Sequence, residues 1–203
     1  MTSLLLYGVN GSAIASPPVL ILAHLVVACA GLYVLSASRV TLWLGVIVLA
    51  IVITFEARLW PLDPRISRGL LDTIGVGFLL WVLFVVLREV FRPGTAARNA
   101  VVGALCGFLI ILLAFARVHG LIEALYPHSY RADGLPLSER SDAMVLASFQ
   151  YFSTTTLTTL GCDIVPITPT ARIATGLETI VGQFYLAVVI ATLVARLAGA
   201  RRQ

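Results

Sequence analysis

The chain has no lysine, few charges and no repeat. Of 203 residues only 12% are charged, about half the usual share of a soluble domain, while 59% are apolar and the mean hydropathy is +0.98. That composition excludes a soluble enzyme and a disordered chain, and makes a polytopic membrane protein the default. All fourteen basic residues other than His are Arg, against ten acidic residues, for a net charge of +4. The Arg stand singly at the ends of apolar runs rather than in a basic stripe. They read as membrane-edge anchors, and no nucleic-acid partner is expected. Three cysteines, Cys29, Cys106 and Cys162, lack metal-ligand spacing and form no disulfide framework. H-E-x-x-H, G-x-S-x-G and a pair of carboxylates in one span are also missing, so no enzyme is expected. A secondary transporter would carry two related halves, and no internal repeat is present.

What is present is a set of apolar runs near the length a spanning helix needs, about 20 residues. They cover Pro18–Ser36, Val40–Phe55, Leu70–Val90, Ala100–Ala116 and Ile173–Leu197. Prolines at 61, 64 and 93 break the links between them. The N-terminus lacks a basic n-region, so no cleavable signal is expected. With six residues after Leu197, no cytosolic regulatory domain is expected either. With the 119–169 stretch outside, Arg divide seven against seven between the two sides, so the positive-inside rule does not fix the orientation. Five spans would then place the N-terminus outside.

Between the fourth and fifth runs lies a half-polar stretch, His119 to Pro169, with an outer turret expected over His119 to Asp142. Residues 149–169 read FQYFSTTTLTTLGCDIVPITP. So many consecutive hydroxyls make a poor lipid-facing helix. Irregular backbone follows at Leu160-Gly161-Cys162-Asp163, with prolines soon after. At membrane depth such backbone persists only inside protein or against water. A short helix, about Ala143 to Thr158, then a loop between two spanning helices, reads as a re-entrant pore loop.

Tyr151-Phe152-Ser153, Thr158-Thr159-Leu160-Gly161 and Asp163-Ile164-Val165-Pro166 together resemble the pore signature of tetrameric potassium channels, Thr-Thr-(Val/Leu)-Gly-Tyr-Gly-Asp. Glu178 to Ala191, ETIVGQFYLAVVIA, is similar to the inner helix of small bacterial members, with Gly182 nineteen residues after Asp163 at the place of their hinge glycine. Gly103-Ala104-Leu105-Cys106 resembles the outer helix. The resemblance covers Arg98 to Leu197, about half the chain. It implies an all-α membrane protein with five spans, a re-entrant pore helix and a filter loop. Residues 1–97 form a three-helix membrane region and 98–203 the pore domain. It also implies a homotetramer in membrane lipid, in a bacterial inner membrane, with monovalent cations (potassium, and sodium if discrimination is weak) in the pore and no other cofactor or metal.

The filter departs from the family pattern. Gly161-Cys162-Asp163 stands where Gly-Tyr-Gly-Asp is usual, so one residue is missing and the tyrosine is absent. Carried over residue by residue, Thr159 gives the innermost ring, Leu160 and Gly161 the next, and the outermost is lost or distorted. Fewer carbonyl rings imply a potassium-permeable channel of reduced selectivity. The alternative is a non-conducting relative with a structural or assembly role.

Each site residue has two readings. Thr158 and Thr159 face cations or bond their own helix, the first being favoured for Thr159. Cys162 forms a thiol ring or is a tolerated small residue, the second favoured. Asp163 forms an acidic ring or holds the loop from behind, the second favoured. Gly182 is a gating hinge or a packing position, and Gly176 a packing position. Glu178 supports the filter from behind the pore helix. Phe184, Ala187, Val188 and Ala191 share a face toward the cavity or inner bundle. Asp72, Glu56 and Arg58 sit near run ends and read as snorkelling side chains, and His24 as a satisfied lone histidine. Arg88 and Arg92 are too few for a voltage sensor.

Overall fold

The computed structural model describes residues 64–92, 97–140 and 142–200. The two runs at 18–36 and 40–55, with His24, Glu56 and Arg58, lie outside the described residues. Four helices carry the described chain: α1 (Pro64–Val90), α2 (Ala97–Leu125), α3 (Asp142–Leu157) and α4 (Pro169–Ala200). Three of them are long and apolar enough to cross a membrane, over Arg68–Val90, Ala100–Leu125 and Pro169–Thr192. This is a mostly helical membrane protein. At 16 residues, α3 rises only about 24 Å and is not among the spanning helices.

α1 packs along α2, and α3 packs against both α2 and α4. Lipid tails are as apolar as leucine, so tight packing and polar pairs, not transfer from water, hold such helices together. Two close approaches illustrate this. A Cβ on Gly120 of α2 would stand 2.8 Å from Asp72 Oδ2 of α1. A Cβ on Gly182 of α4 would stand 2.9 Å from the Leu157 carbonyl oxygen at the end of α3.

Asp72 is not a snorkelling edge residue. It is buried, at 4% exposure, and accepts a hydrogen bond from Arg117 Nη1 at 3.1 Å. A short acidic side chain inside its helix cannot reach the membrane edge, so it takes the guanidinium that α2 brings to it.

α2 runs nine residues beyond Ala116, so His119 and Glu123 are helical and the connection to α3 is shorter than the sequence pattern implies. That connection also departs from an all-α reading. β1 (Tyr130–Ala132) and β2 (Leu135–Pro136) form a hairpin, and β1 also pairs antiparallel with β3 (Val165–Pro166). Asp133 (φ 54°) and Gly134 (φ 77°) make the two-residue connection, in the left-handed pair that suits a twisted hairpin. A 3₁₀ turn, Leu137–Glu139, leads on toward α3.

One core cluster sits under this turret. It joins Ala116 and Ile122 of α2, Tyr130 and Ala132 of β1, Phe149 and Phe152 of α3, and Ala171 and Ala174 of α4. Edge-to-face rings fix it, with Tyr130 4.9 Å from Phe149 and 5.6 Å from Phe152. α4 begins on a capped end. The Thr168 hydroxyl accepts from the Ala171 amide at 3.4 Å, and Pro169 takes the first helical position.

Candidate functional site

α3 tolerates its many hydroxyls because its own carbonyls absorb them. Thr154 donates to the Gln150 carbonyl, Thr155 to Tyr151 and Phe152, and Thr158 to Thr154 at 2.7 Å. A threonine bonded back to its helix presents its methyl group outward. The Thr158 hydroxyl is therefore spent on the helix. The Thr159 side chain makes no such bond and is exposed.

The helix ends in a Schellman turn. The Leu160 amide bonds the Thr155 carbonyl at 2.8 Å, and the Thr159 amide bonds Thr156 at 3.0 Å. Thr159 takes the left-handed position, φ 59°, where glycine is usual. The Gly161 amide also reaches the Thr155 carbonyl, at 3.2 Å, and Gly161 itself has φ 75°. Two consecutive N–H groups thus converge on one oxygen. The carbonyls beside them have no such use: among the described residues, those of Thr158, Thr159, Leu160 and Gly161 accept no hydrogen bond. A row of four unpaired carbonyls must find water or a cation.

Beyond the turn the chain is tied to the turret. β3 pairs with β1, and the Ile167 amide donates to the Ser129 carbonyl at 2.7 Å. Cys162 is half-buried and packed on the turret core, with Sγ 4.0 Å from the Ile164 carbonyl. Asp163 is exposed, and among the described residues no hydrogen bond or ion pair reaches its carboxylate. Among the described residues the carboxylate therefore makes no contact of the kind expected of a group holding the loop from behind.

Behind α3 lies a buried polar chain. Glu178 and His119 are both 0% exposed, with His119 Nε2 2.9 Å from Glu178 Oε2. His119 Nδ1 lies 2.6 Å from the Tyr130 hydroxyl, also fully buried. Ser153 of α3 sits beside the same Glu178 carboxylate; neither its Oγ nor Glu178 Oε1 meets a partner at hydrogen-bond geometry. Glu178 thus lies behind α3. Burial, then the Glu123 and Glu178 carboxylates, push the Tyr130 phenol above its ordinary range. Glu123 is itself engaged, accepting from the backbone amides of His128 (3.0 Å) and Tyr130 (3.1 Å).

His119, Glu123, Tyr130 and the Asp72–Arg117 pair do not stand out in the sequence as site residues. Two signals are there: His119 and Glu123, four apart in an extension of the fourth apolar run, and the Asp-Gly pair that marks a hairpin. Gly182 is a packing position against Leu157, whereas among the described residues nothing lies within 4 Å of a methyl added at Gly176. Phe184 and Val188 are 68% and 50% exposed, and Ala187 and Ala191 are exposed with them, as one face of α4. Among the described residues no three His, Cys, Asp or Glu side chains converge as a metal site.

Comparison with known families matches residues 108–198, a little under half of the chain, to the ion channel family. Neither the curated proteins nor the solved structures compared with the chain gave a match. The matched span runs from Phe108 in α2, through the turret, α3 and the unpaired carbonyls, to Ala198 in α4. With that sequence match on a helix–short helix–helix frame, residues 108–198 are similar to the two-helix, potassium-channel-like family of ion channels.

Proposed function

We propose that the protein is a cation channel in which α3 is a re-entrant pore helix and residues 158–163 are a shortened selectivity filter. The observation that carries this is the row of unpaired carbonyls at Thr158, Thr159, Leu160 and Gly161, beside amides drawn back onto Thr155. Rings of carbonyls replace the water shell of a permeating ion. The C-terminal end of α3 adds partial negative charge at the same place, which favours cations.

One such loop cannot enclose a pathway, so four copies around an axis complete it. The exposed faces of α3 (Tyr151, Thr154, Thr158) and α4 (Phe184, Val188) are available for that assembly, with lipid on the remaining surface. Asp163, exposed and unpaired, supplies an acidic ring at the outer end that concentrates cations. Cys162 occupies the place of the usual Tyr and Gly but is packed on the turret core, so the outermost ring is lost. Fewer rings mean weaker discrimination: the channel passes potassium and admits sodium. Gly182, pressed on Leu157, transmits movement of α4 to the end of the pore helix.

The test is a flux assay on purified protein in liposomes, with potassium, sodium and protein-free controls. Flux of both ions, with potassium ahead by less than about tenfold, is expected. No flux from folded oligomers would favour a non-conducting relative, and putting Tyr–Gly in place of Cys162 would then show whether the remaining pore is competent.

A further inference from the structure

We propose that Ser129, in the turret, is a positioning residue for ion selection: it holds the strand that leaves residues 158–163, and so fixes the outer end of the filter. The proposal rests on the channel reading above.

The hydroxyl of Ser129 joins α2 to α4, and each link has one allowed direction. Ser129 is 0% exposed. Its Oγ lies 2.5 Å from the Tyr126 carbonyl, just past α2, and 3.0 Å from Thr168 Oγ1, just before α4. A carbonyl only accepts, so Ser129 donates to Tyr126 and accepts from Thr168. Thr168 in turn accepts from the Ala171 amide in the first turn of α4, at 3.4 Å. One chain of hydrogen bonds thus runs from the end of α2 to the start of α4.

The backbone of Ser129 holds the strand itself. Its carbonyl accepts from the Ile167 amide at 2.7 Å, beside the ladder in which Tyr130 faces Pro166 and Arg131 faces Val165. Glu123, 3% exposed, keeps that carbonyl in place. Its two oxygens accept from the amides of His128 (3.0 Å) and Tyr130 (3.1 Å), on either side of Ser129. His128 takes a left-handed φ of 67° to allow this.

Little slack separates this anchor from the unpaired carbonyls. Val165 is four residues beyond Gly161, a reach of about 14 Å at most. Between them Ile164 is buried in the turret core and Cys162 packs against it. Asp163 does not share the load, since among the described residues no hydrogen bond or ion pair reaches its carboxylate. A shift of Ser129 therefore passes along 162–165 to the Gly161 carbonyl. Discrimination depends on the number and field of such carbonyls, so loosening the anchor falls on potassium preference before it falls on conduction.

The experiment is paired potassium and sodium flux in liposomes. It compares wild type, Ser129→Ala, Thr168→Val, Thr168→Ser and the double variant Ser129→Ala/Thr168→Val, each checked for folded oligomer. The potassium-to-sodium ratio, unlike total flux, does not change when a variant merely folds less well. The ratio is expected to fall at least about twofold, toward one, in Ser129→Ala and in Thr168→Val. Thr168→Ser keeps the hydroxyl and the wild-type ratio. The double variant falls no further than the lower single variant, because the two share one bond. A wild-type ratio in either single variant overturns the proposal, as does a double variant whose loss is the product of the two single losses. A ratio of one in the wild type overturns it too, since there is then no discrimination to hold. Where a variant does not assemble, hydrogen exchange on the wild type decides. The Ile167 amide is expected to exchange at least about a hundredfold more slowly than that of Asp163, and equal rates overturn the proposal. Absence of both fluxes in the wild type instead overturns the channel reading, so the two failures are distinct.

Discussion

The two faces of α3 solve opposite problems. Its end and exposed face present carbonyls with no partner and threonines whose hydroxyls are spent on the helix itself. Its buried face meets Tyr130, His119 and Glu178, which are joined through His119, while Ser153 Oγ and Glu178 Oε1 meet no partner. In the proposed channel an ion arrives at the front and leaves again, which weak, unpaired acceptors suit. Nothing enters at the back, and there an unpaired group would cost the full desolvation penalty.

The strongest challenge to that division is Gly182→Val. Its Cβ would meet the Leu157 carbonyl oxygen, which cannot swing aside like a side chain. A loss of about 3 kcal/mol is expected, with loss of flux and of oligomer by gel filtration. Next, Glu178→Leu leaves His119 Nε2 buried without its hydrogen-bond partner, at about 2 kcal/mol. Thermal unfolding in detergent reads it, and an unchanged melting temperature would mean the back of α3 is not the rigid side.

Gly161→Ala separates the faces. Nothing lies within 4 Å of the added methyl, so the penalty is the left-handed backbone alone, about 1 kcal/mol. Flux should drop at least about tenfold while stability barely moves, because the change falls on the front. Tyr130 probes the back by pH. Its phenol is raised in the folded protein, so its contribution is complete below the ordinary value of 10.0 and is lost as pH rises above it. Unfolding temperature should therefore hold through neutral pH and fall in strong alkali, and Tyr130→Phe should remove that fall. The smallest effect is expected from Thr158→Ala. Its hydroxyl serves its own helix, so stability should stay within about 0.5 kcal/mol and flux within about twofold.

How far the sequence can be read varies by element. The three long described helices are legible from apolar runs, and α3 from its hydroxyl run and the motif that follows, with an expected end one residue from the observed Leu157. The turret reads as a loop because its strands have two or three residues each, too short for alternation to register, although Asp133-Gly134 marks the hairpin. Asp72 misleads because edge position along a chain says nothing of the neighbour: Arg117 lies 45 residues away.

Sequence alone was enough to establish a membrane protein, the course of three of its helices, and the residues that carry the channel motif. Those properties are local: hydrophobic length, proline breaks and a short motif depend on neighbours along the chain. Which polar groups stay unpaired was settled only by tertiary packing. Thr158 and Thr159 are the same residue in the same run, yet Thr159 takes the left-handed turn and Thr158 bonds back to its helix. Tyr130 and Glu178 lie 11 and 59 residues from His119, and only packing against α3 makes the three one buried chain. Hydrogen-bond satisfaction depends on what surrounds a group in space, and that is fixed when the helices meet.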